Sequence, residues 1–124
     1  MIKSILVVDD SETARMFIRR CLEVIGFNEA DFFEAGDGQA ALSILENTPT
    51  DLVVTDLTMP IMGGEELLSA IKSNSILKTS LVLVVTSAGN KARENALLEN
   101  GALAVISKPF APAALYTVLQ PHMG

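Results

Sequence analysis

Five short apolar runs, separated by longer amphipathic stretches, constrain the fold of this 124-residue chain more than any other feature. The runs cover residues 5–9, 30–35, 52–56, 81–86 and 104–107. Most are continuously apolar rather than alternating, which is typical of strands buried on both faces of a parallel sheet. Right-handed crossovers between such strands place helices on both faces. The sequence therefore predicts a doubly wound α/β fold of the (βα)5 type with a five-stranded parallel sheet.

The stretches after the runs carry signals for five helices. The apolar residues of the first helix recur on one face and are predicted to point inward: Ala14, Phe17, Ile18, Cys21, Leu22 and Ile25. Gly26 then stands where a helix end is expected. Capping residues, first-turn acids and prolines predict the other boundaries: Asp37 and Gly38 for the second helix, Glu65 and Glu66 for the third, Asn90 for the fourth, Pro112 and Pro121 for the fifth.

Composition and charge limit the classes of function. The length suits one domain, residues 1–124, and a hydrophobic content of 49% suffices for one core. Nine basic against fifteen acidic residues give a formal charge of −6, which disfavours direct binding of nucleic acid or of anionic membranes. The single cysteine, Cys21, excludes an intrachain disulfide and a cysteine metal cluster. Because the sequence shows neither a secretory signal nor an apolar run long enough to span a bilayer, we expect a cytoplasmic protein.

Polar residues follow the apolar runs where the functional cleft of a doubly wound sheet is expected. They are Asp9 and Asp10 after the first run, Asp56 at the end of the third, Thr86 and Ser87 at the fourth, and Lys108 and Pro109 after the fifth. If the spatial order is 2-1-3-4-5, strands one and three flank the switch point and these groups converge on one pocket. Each residue alone has a structural explanation, the aspartate pair as a helix N-cap for example. The coincidence of four suitable strand ends favours a functional site.

The chemistry of this set is coherent. Three neighbouring carboxylates repel one another unless a cation lies between them, and hard oxygen donors without His or Cys point to Mg²⁺. Beside such an ion, a carboxylate can attack a phosphoryl group and form an acyl phosphate. Lys108 would hold a phosphoryl oxygen as a point charge, and Thr86 would donate a hydrogen bond to another.

The segments "ILVVDD", "LVVTDLTMPIMGG", "VLVVTSA" and "ISKPF", in this order, resemble the receiver domain of bacterial response regulators, the CheY-like family, over essentially the whole chain. The resemblance implies a flavodoxin-like sheet of order 2-1-3-4-5 and a stand-alone phosphoacceptor of a two-component system. Its partners would be a sensor histidine kinase or phosphotransfer protein and a downstream target protein. It would catalyse only its own phosphorylation and dephosphorylation.

The resemblance also implies a role for each site residue. These roles are the phosphoacceptor (Asp56), a direct Mg²⁺ ligand (Asp10), a ligand acting through water (Asp9), a backbone carbonyl ligand (Thr58), the switch hydroxyl (Thr86), a backbone N–H facing the phosphoryl group (Ser87), and the family's lysine before a cis proline (Lys108).

Two further expectations concern the surroundings of the pocket. The resemblance places kinase docking beside Pro109 and Phe110, on an outward face of the first helix that comprises Glu12, Arg15, Met16 and Arg19. Thr58 and Ala88 are expected to border the path of a water molecule that hydrolyses the acyl phosphate.

The sequence departs from the family before the lysine. Relatives usually carry an aromatic residue two or three positions before it, where this chain has Val105 and Ile106, and the only tyrosine, Tyr116, lies on the last helix. Val105 is short and β-branched, so it cannot follow Thr86 inward as an aromatic ring would. We therefore expect the signal to leave through the loop after Thr86 and the fourth helix.

Three other protein classes share features with this sequence. A haloacid-dehalogenase-type phosphatase also uses an aspartate after an apolar strand, but it needs a second aspartate two residues on, where this chain has Thr58. A Rossmann dinucleotide binder needs a G-x-G-x-x-G after the first strand, and none is present. A pseudo-receiver, an interaction module on the same fold that phosphorylation does not regulate, typically loses residues that this chain retains, and it is the stronger alternative.

Overall fold

The computed structural model describes residues 1–87 and 89–123 of the chain. The strands are β1 (Ser4–Val8), β2 (Asp31–Ala35), β3 (Leu52–Thr55), β4 (Leu81–Thr86) and β5 (Ala104–Ser107), and the helices are α1 (Glu12–Leu22), α2 (Gly38–Asn47), α3 (Gly64–Ser73), α4 (Lys91–Glu99) and α5 (Pro112–Leu119). Every neighbouring pair of strands is parallel, and the order is β2-β1-β3-β4-β5. The predicted fold and strand order are confirmed.

Side chains alternate between two apolar clusters, one on each face of the sheet. On β1, Ile5 and Val7 face one cluster, where α1 and α5 pack, while Leu6 and Val8 face the other, where α2, α3 and α4 pack. All four side chains are fully buried. Continuous apolar strands are needed because neither face of the sheet meets water.

The helix boundaries follow the predicted signals. Asp37 caps α2 by accepting a hydrogen bond from the N–H of Ala40 at 2.8 Å, and Asn90 caps α4 by accepting one from the N–H of Arg93 at 2.9 Å. Pro112 is the first residue of α5. After α1 the chain makes a short π-helical turn, Glu23–Phe27, in which Gly26 has a φ of 130°, a conformation that favours glycine.

Three details differ from the sequence analysis. β1 and β3 end one residue earlier than expected, so Asp9 and Asp56 open the loops after these strands. β2 begins at Asp31, one residue later than expected. Phe17 is 48% exposed rather than inward, and its ring packs on Phe110 with the centroids 5.5 Å apart.

The helix α4 has the fewest buried residues of the five helices. Of its nine residues, all described, only Leu97 is buried, and Leu98 is 44% exposed. An ion pair on the surface links its first turn to α3, since Nη2 of Arg93 lies 2.6 Å from Oε1 of Glu65 at the start of α3. Packing therefore fixes α4 less firmly than its neighbours.

Among the described residues, no helix has the length and apolar character needed to cross a membrane.

Candidate functional site

The site forms where β1 and β3 end side by side. Val8 and Thr55, the last residues of these strands, are partners in the parallel register. The hydrogen-bond ladder continues one residue further, because the N–H of Asp9 donates to the carbonyl of Ala35 (3.1 Å) and the N–H of Asp56 donates to the carbonyl of Val8 (3.0 Å). The sheet itself therefore places the two aspartates next to each other.

Three carboxylates meet at this edge, in three different environments. One carboxylate oxygen from each of Asp9, Asp10 and Asp56 lies within 4.8 Å of the others. Asp9 is buried, Asp56 is half-buried and Asp10 is exposed. The sequence analysis predicted this convergence, and the structure confirms the placement.

Lys108 lies between two of these carboxylates. Its Nζ donates to Oδ2 of Asp9 at 2.8 Å and lies 3.6 Å from Oδ2 of Asp56. Burial acts to lower the pKa of Lys108, but the hydrogen bond to Asp9 and the charge of Asp56 outweigh it, so the pKa of Lys108 is raised. The lysine therefore stays charged at neutral pH. The expected cis peptide bond between Lys108 and Pro109 is present.

Neither aspartate after β1 serves as the N-cap of α1. The cap is Ser11, whose hydroxyl oxygen accepts a hydrogen bond from the N–H of Ala14 at 3.2 Å. Oδ1 of Asp9 accepts a hydrogen bond from the N–H of Ser11 at 2.9 Å, which orients this carboxylate towards the pocket. The alternative explanation of the aspartate pair as a helix N-cap is therefore wrong.

The loop after Asp56 explains the two glycines of "MPIMGG". Oδ1 of Asp56 accepts a hydrogen bond from the N–H of Leu57 at 2.8 Å. The backbone at the two glycines then packs directly against the backbone of Asp56 and Leu57. A Cβ on Gly64 would overlap the carbonyl oxygen of Asp56, and a Cβ on Gly63 would lie 2.8 Å from the carbonyl oxygen of Leu57. Glycine is required at both positions by the close approach of two backbone segments.

The remaining predicted residues border this cluster. Thr86 ends β4 and is buried, while Ser87 and Thr58 are exposed in the loops that follow β4 and β3. Ala88 lies outside the described residues. An apolar cavity of about 330 Å³ adjoins the cluster, and its lining includes Phe17, Phe110 and Lys108.

One residue of the site was assigned differently by the sequence analysis. Arg15 was expected on the outward docking face, but its side chain is only 17% exposed. Its Nη1 donates to the carbonyl oxygen of Asp9 at 2.6 Å and its Nε donates to Oε1 of Glu34 at 2.8 Å. Nothing in the sequence signals this contact, because Glu34 reaches Arg15 only through the pairing of β2 with β1.

The donor set fits a hard divalent cation. The clustered ligand atoms are carboxylate oxygens, and neither His nor Cys belongs to the cluster. Mg²⁺ is held in proteins by a few carboxylates and retains several waters, so an exposed Asp10 beside two less exposed carboxylates is a suitable arrangement.

Comparisons with known proteins point to one family. The family model described as "Response regulator receiver domain" matches residues 5–120. The chain is 36% identical over 121 residues to "Chemotaxis protein CheY1" of Helicobacter pylori, covering 97% of this chain and 96% of that protein. It is 38% identical over 111 residues to "Chemotaxis protein CheY-3" of Vibrio cholerae, covering 90% and 84%. The solved structure of Vibrio cholerae CheY4 superimposes with a TM-score of 0.84 at 28% identity, covering 98% of both chains.

Proposed function

Because this chain belongs to the family of response regulator receiver domains, we propose that it accepts a phosphoryl group on Asp56 with Mg²⁺ as cofactor. The donor would be a sensor histidine kinase or a phosphotransfer protein of a two-component system, in the cytoplasm. The observation that carries the proposal is the position of Lys108, whose ammonium lies between Asp9 and Asp56 where the strands end.

In the proposed reaction, a carboxylate oxygen of Asp56 attacks the phosphorus of a phosphohistidine on the partner. A P–O bond to Asp56 forms as the P–N bond breaks, and the departing imidazole keeps the electron pair and takes up a proton. Lys108 is charged and only 3.6 Å from Oδ2 of Asp56, so it is placed to contact an incoming phosphoryl oxygen. The chain would thus react once with each donor and act on no separate substrate.

The hydrogen bonds support different roles for the two aspartates after β1. Both oxygens of Asp9 are engaged, one by the N–H of Ser11 and one by Lys108. The carboxylate of Asp10, in contrast, makes no hydrogen bond with another described residue. Asp10 would therefore hold Mg²⁺ directly, together with Asp56 and the carbonyl of Thr58, while Asp9 would act through water. When bound, the ion supplies positive charge that stabilises phosphoryl oxygens.

Phosphorylation would be read out through α4. A hydrogen bond from Thr86 to the phosphoryl group would draw the loop after β4 inward, and α4 can follow because only Leu97 anchors it to the core. Val105 is half-buried against the core cluster on the same face, so β5 is expected to stay in place. A downstream target protein would then recognise the altered surface.

Nuclear magnetic resonance tests this route. Adding beryllofluoride and Mg²⁺ should cause large amide shifts across residues 86–95 and small ones at Val105 and Tyr116. If Tyr116 shifts as much as α4 does, the last helix shares the switch and the inference from Val105 is wrong.

The phosphoacceptor is tested by incubating the protein with Mg²⁺ and acetyl phosphate, followed by intact mass spectrometry and site mapping. We expect the mass of one phosphoryl group to be added, and the addition to require the metal. Asp56→Asn should abolish it, while Asp31→Asn, at an exposed aspartate on β2, should leave it unchanged. No addition to the wild type would favour the pseudo-receiver, and full addition to Asp56→Asn would assign the phosphoryl group elsewhere. Turnover of a phosphomonoester would instead favour a phosphatase.

A further inference from the structure

We infer that Arg15 positions Asp10 for metal binding by holding the backbone carbonyl of Asp9; the inference rests on the proposed function. Arg15 lies on the first turn of α1, and its guanidinium joins three elements: its own helix, the end of β1 and Glu34 of β2. The side chain is 17% exposed, so the contact is largely shielded from water.

The carbonyl that Arg15 holds lies just beyond the sheet. The registers of β1 with β2 and with β3 end at Val8, so Asp9 lies past the last pair of partners on both sides. Nη1 of Arg15 donates to the oxygen of Asp9 at 2.6 Å, a short distance for a charge-assisted hydrogen bond. This hydrogen bond holds the direction of a carbonyl that has no partner in the strand registers.

The direction of the Asp9 carbonyl determines the positions of the backbone nitrogen and Cα of Asp10. The peptide bond is planar, so the carbonyl of Asp9 and the nitrogen and Cα of Asp10 share one plane. The Asp10 side chain is exposed and makes no hydrogen bond with another described residue, so its own contacts do not determine where its carboxylate points. Its position is therefore set by the backbone, which Arg15 holds before Asp10 and the hydrogen bond from the N–H of Ser11 to Oδ1 of Asp9 holds after it.

The positive charge of Arg15, considered alone, would weaken Mg²⁺ binding, whereas positioning of Asp10 would strengthen it. A cation near the site repels Mg²⁺, and Glu34, whose Oε1 lies 2.8 Å from Nε, offsets that charge. If Arg15 acted only through its charge, its removal would leave Glu34 unpaired and strengthen binding. If it acts by positioning, its removal weakens binding. The sign of the change in affinity separates the two roles.

The experiment is a calorimetric titration of Mg²⁺ into the wild type, Arg15→Met and Arg15→Lys. We expect Arg15→Met to bind about tenfold more weakly, at the low end of the range for losing a group that orients a metal ligand. Arg15→Lys keeps the charge but lacks the planar fork that contacts two partners at once, so it should bind with intermediate affinity. Stronger binding by Arg15→Met, with Arg15→Lys equal to the wild type, would show an effect of charge and overturn the inference.

Arg19→Ala is the matched control. Arg19 lies one turn further along α1, pairs with Glu23 at 3.5 Å and stacks over Phe32 without contacting Asp9. Its removal deletes a charge of the same sign from the same helix and should leave Mg²⁺ affinity within about twofold of the wild type, because the pair is exposed and screened.

Two further measurements separate positioning from a structural role. Urea unfolding of the metal-free proteins reports any loss of stability, which by itself would leave the affinity of the folded protein unchanged. In an Asp10→Ala background, Arg15→Met should cause no further loss of affinity, because the side-chain ligand it positions is gone. A further tenfold loss there would mean that Arg15 acts on another ligand.

Absence of saturable Mg²⁺ binding by the wild type would overturn both this inference and the proposed cofactor, whereas equal binding by wild type and Arg15→Met would overturn this inference alone.

Discussion

Replacing Ile61 by glycine is expected to stabilise the protein, although the substitution removes a large apolar side chain. Ile61 has a φ of 68°, and it is the only non-glycine residue with a positive φ in the described parts of the chain. The N–H of Met62 donates to the carbonyl of Pro60 at 2.7 Å, which closes a tight turn around Ile61. The side chain is 81% exposed, so little burial is lost on its removal.

The magnitude follows from two opposing effects. Left-handed backbone conformation costs a residue with a Cβ about 1–2 kcal/mol, and a β-branched side chain lies at the upper end. Glycine avoids this strain but loses more conformational freedom on folding, which opposes the gain by about 0.5–1 kcal/mol. The net increase in the free energy of unfolding is then about 0.5–1 kcal/mol, a rise in melting temperature of roughly 2–5 °C for a domain of this size.

Calorimetric melting of the metal-free protein tests this reasoning against a matched variant. Ile76 is 72% exposed and does not have a positive φ, so Ile76→Gly should lower the melting temperature through chain entropy alone. The signature of strain is a rise for Ile61→Gly together with a fall for Ile76→Gly. If Ile61→Gly melts as early as Ile76→Gly, the turn stores no strain that glycine relieves.

Three further predictions concern the partner, α4 and pH. Met16→Asp, at a side chain that is 51% exposed on α1, should slow transfer from a histidine kinase but not from acetyl phosphate, and equal slowing of both reactions would indicate damage to the fold. Val24→Asp, at an exposed side chain in the π-helical turn after α1, should slow neither. A double-mutant cycle with Glu65→Gln and Arg93→Gln, read by urea unfolding, should give a coupling of about 0.2–1 kcal/mol, since both side chains are partly exposed; zero coupling would mean that the pair does not form in solution. Because the pKa of Lys108 is raised above 10.5, its pairing with ionised carboxylates stabilises the fold fully between neutral pH and about pH 10.5 and is lost as pH rises through the raised value. The difference in unfolding free energy between wild type and Lys108→Met should therefore be constant over that range and shrink above it.

The sequence predicted the sheet because strands and caps are encoded locally. Continuous apolar runs identify doubly buried strands, and the positions of Asp37, Asn90 and Pro112 follow from the unpaired N–H groups of a helix start. The convergence of Asp9 and Asp56 was also predictable, because parallel strands end at the same edge of a sheet.

Two features were not predictable, because they depend on distances between elements. Phe17 satisfies the helical stripe, but the stripe does not reveal that Phe110, in the loop after β5, lies within reach of its ring. Arg15 has the spacing of an outward residue on α1, and its burial arises only because the carbonyl of Asp9 and the carboxylate of Glu34 both lie within reach. Helical periodicity specifies a direction from the helix axis and carries no information about what lies there.

The sparse packing of α4 sets its place in the hierarchy of local unfolding. Detaching this helix exposes one buried side chain, Leu97, whose transfer to water costs about 1.5–3 kcal/mol, whereas unfolding a whole domain takes about 5–15 kcal/mol. Amide hydrogens of α4 are therefore expected to exchange through local openings that remove only Leu97 from its core cluster and leave the other cluster intact. A protein that binds α4 in a displaced position works against this small opening free energy alone, and the sheet that holds the aspartates is not disturbed.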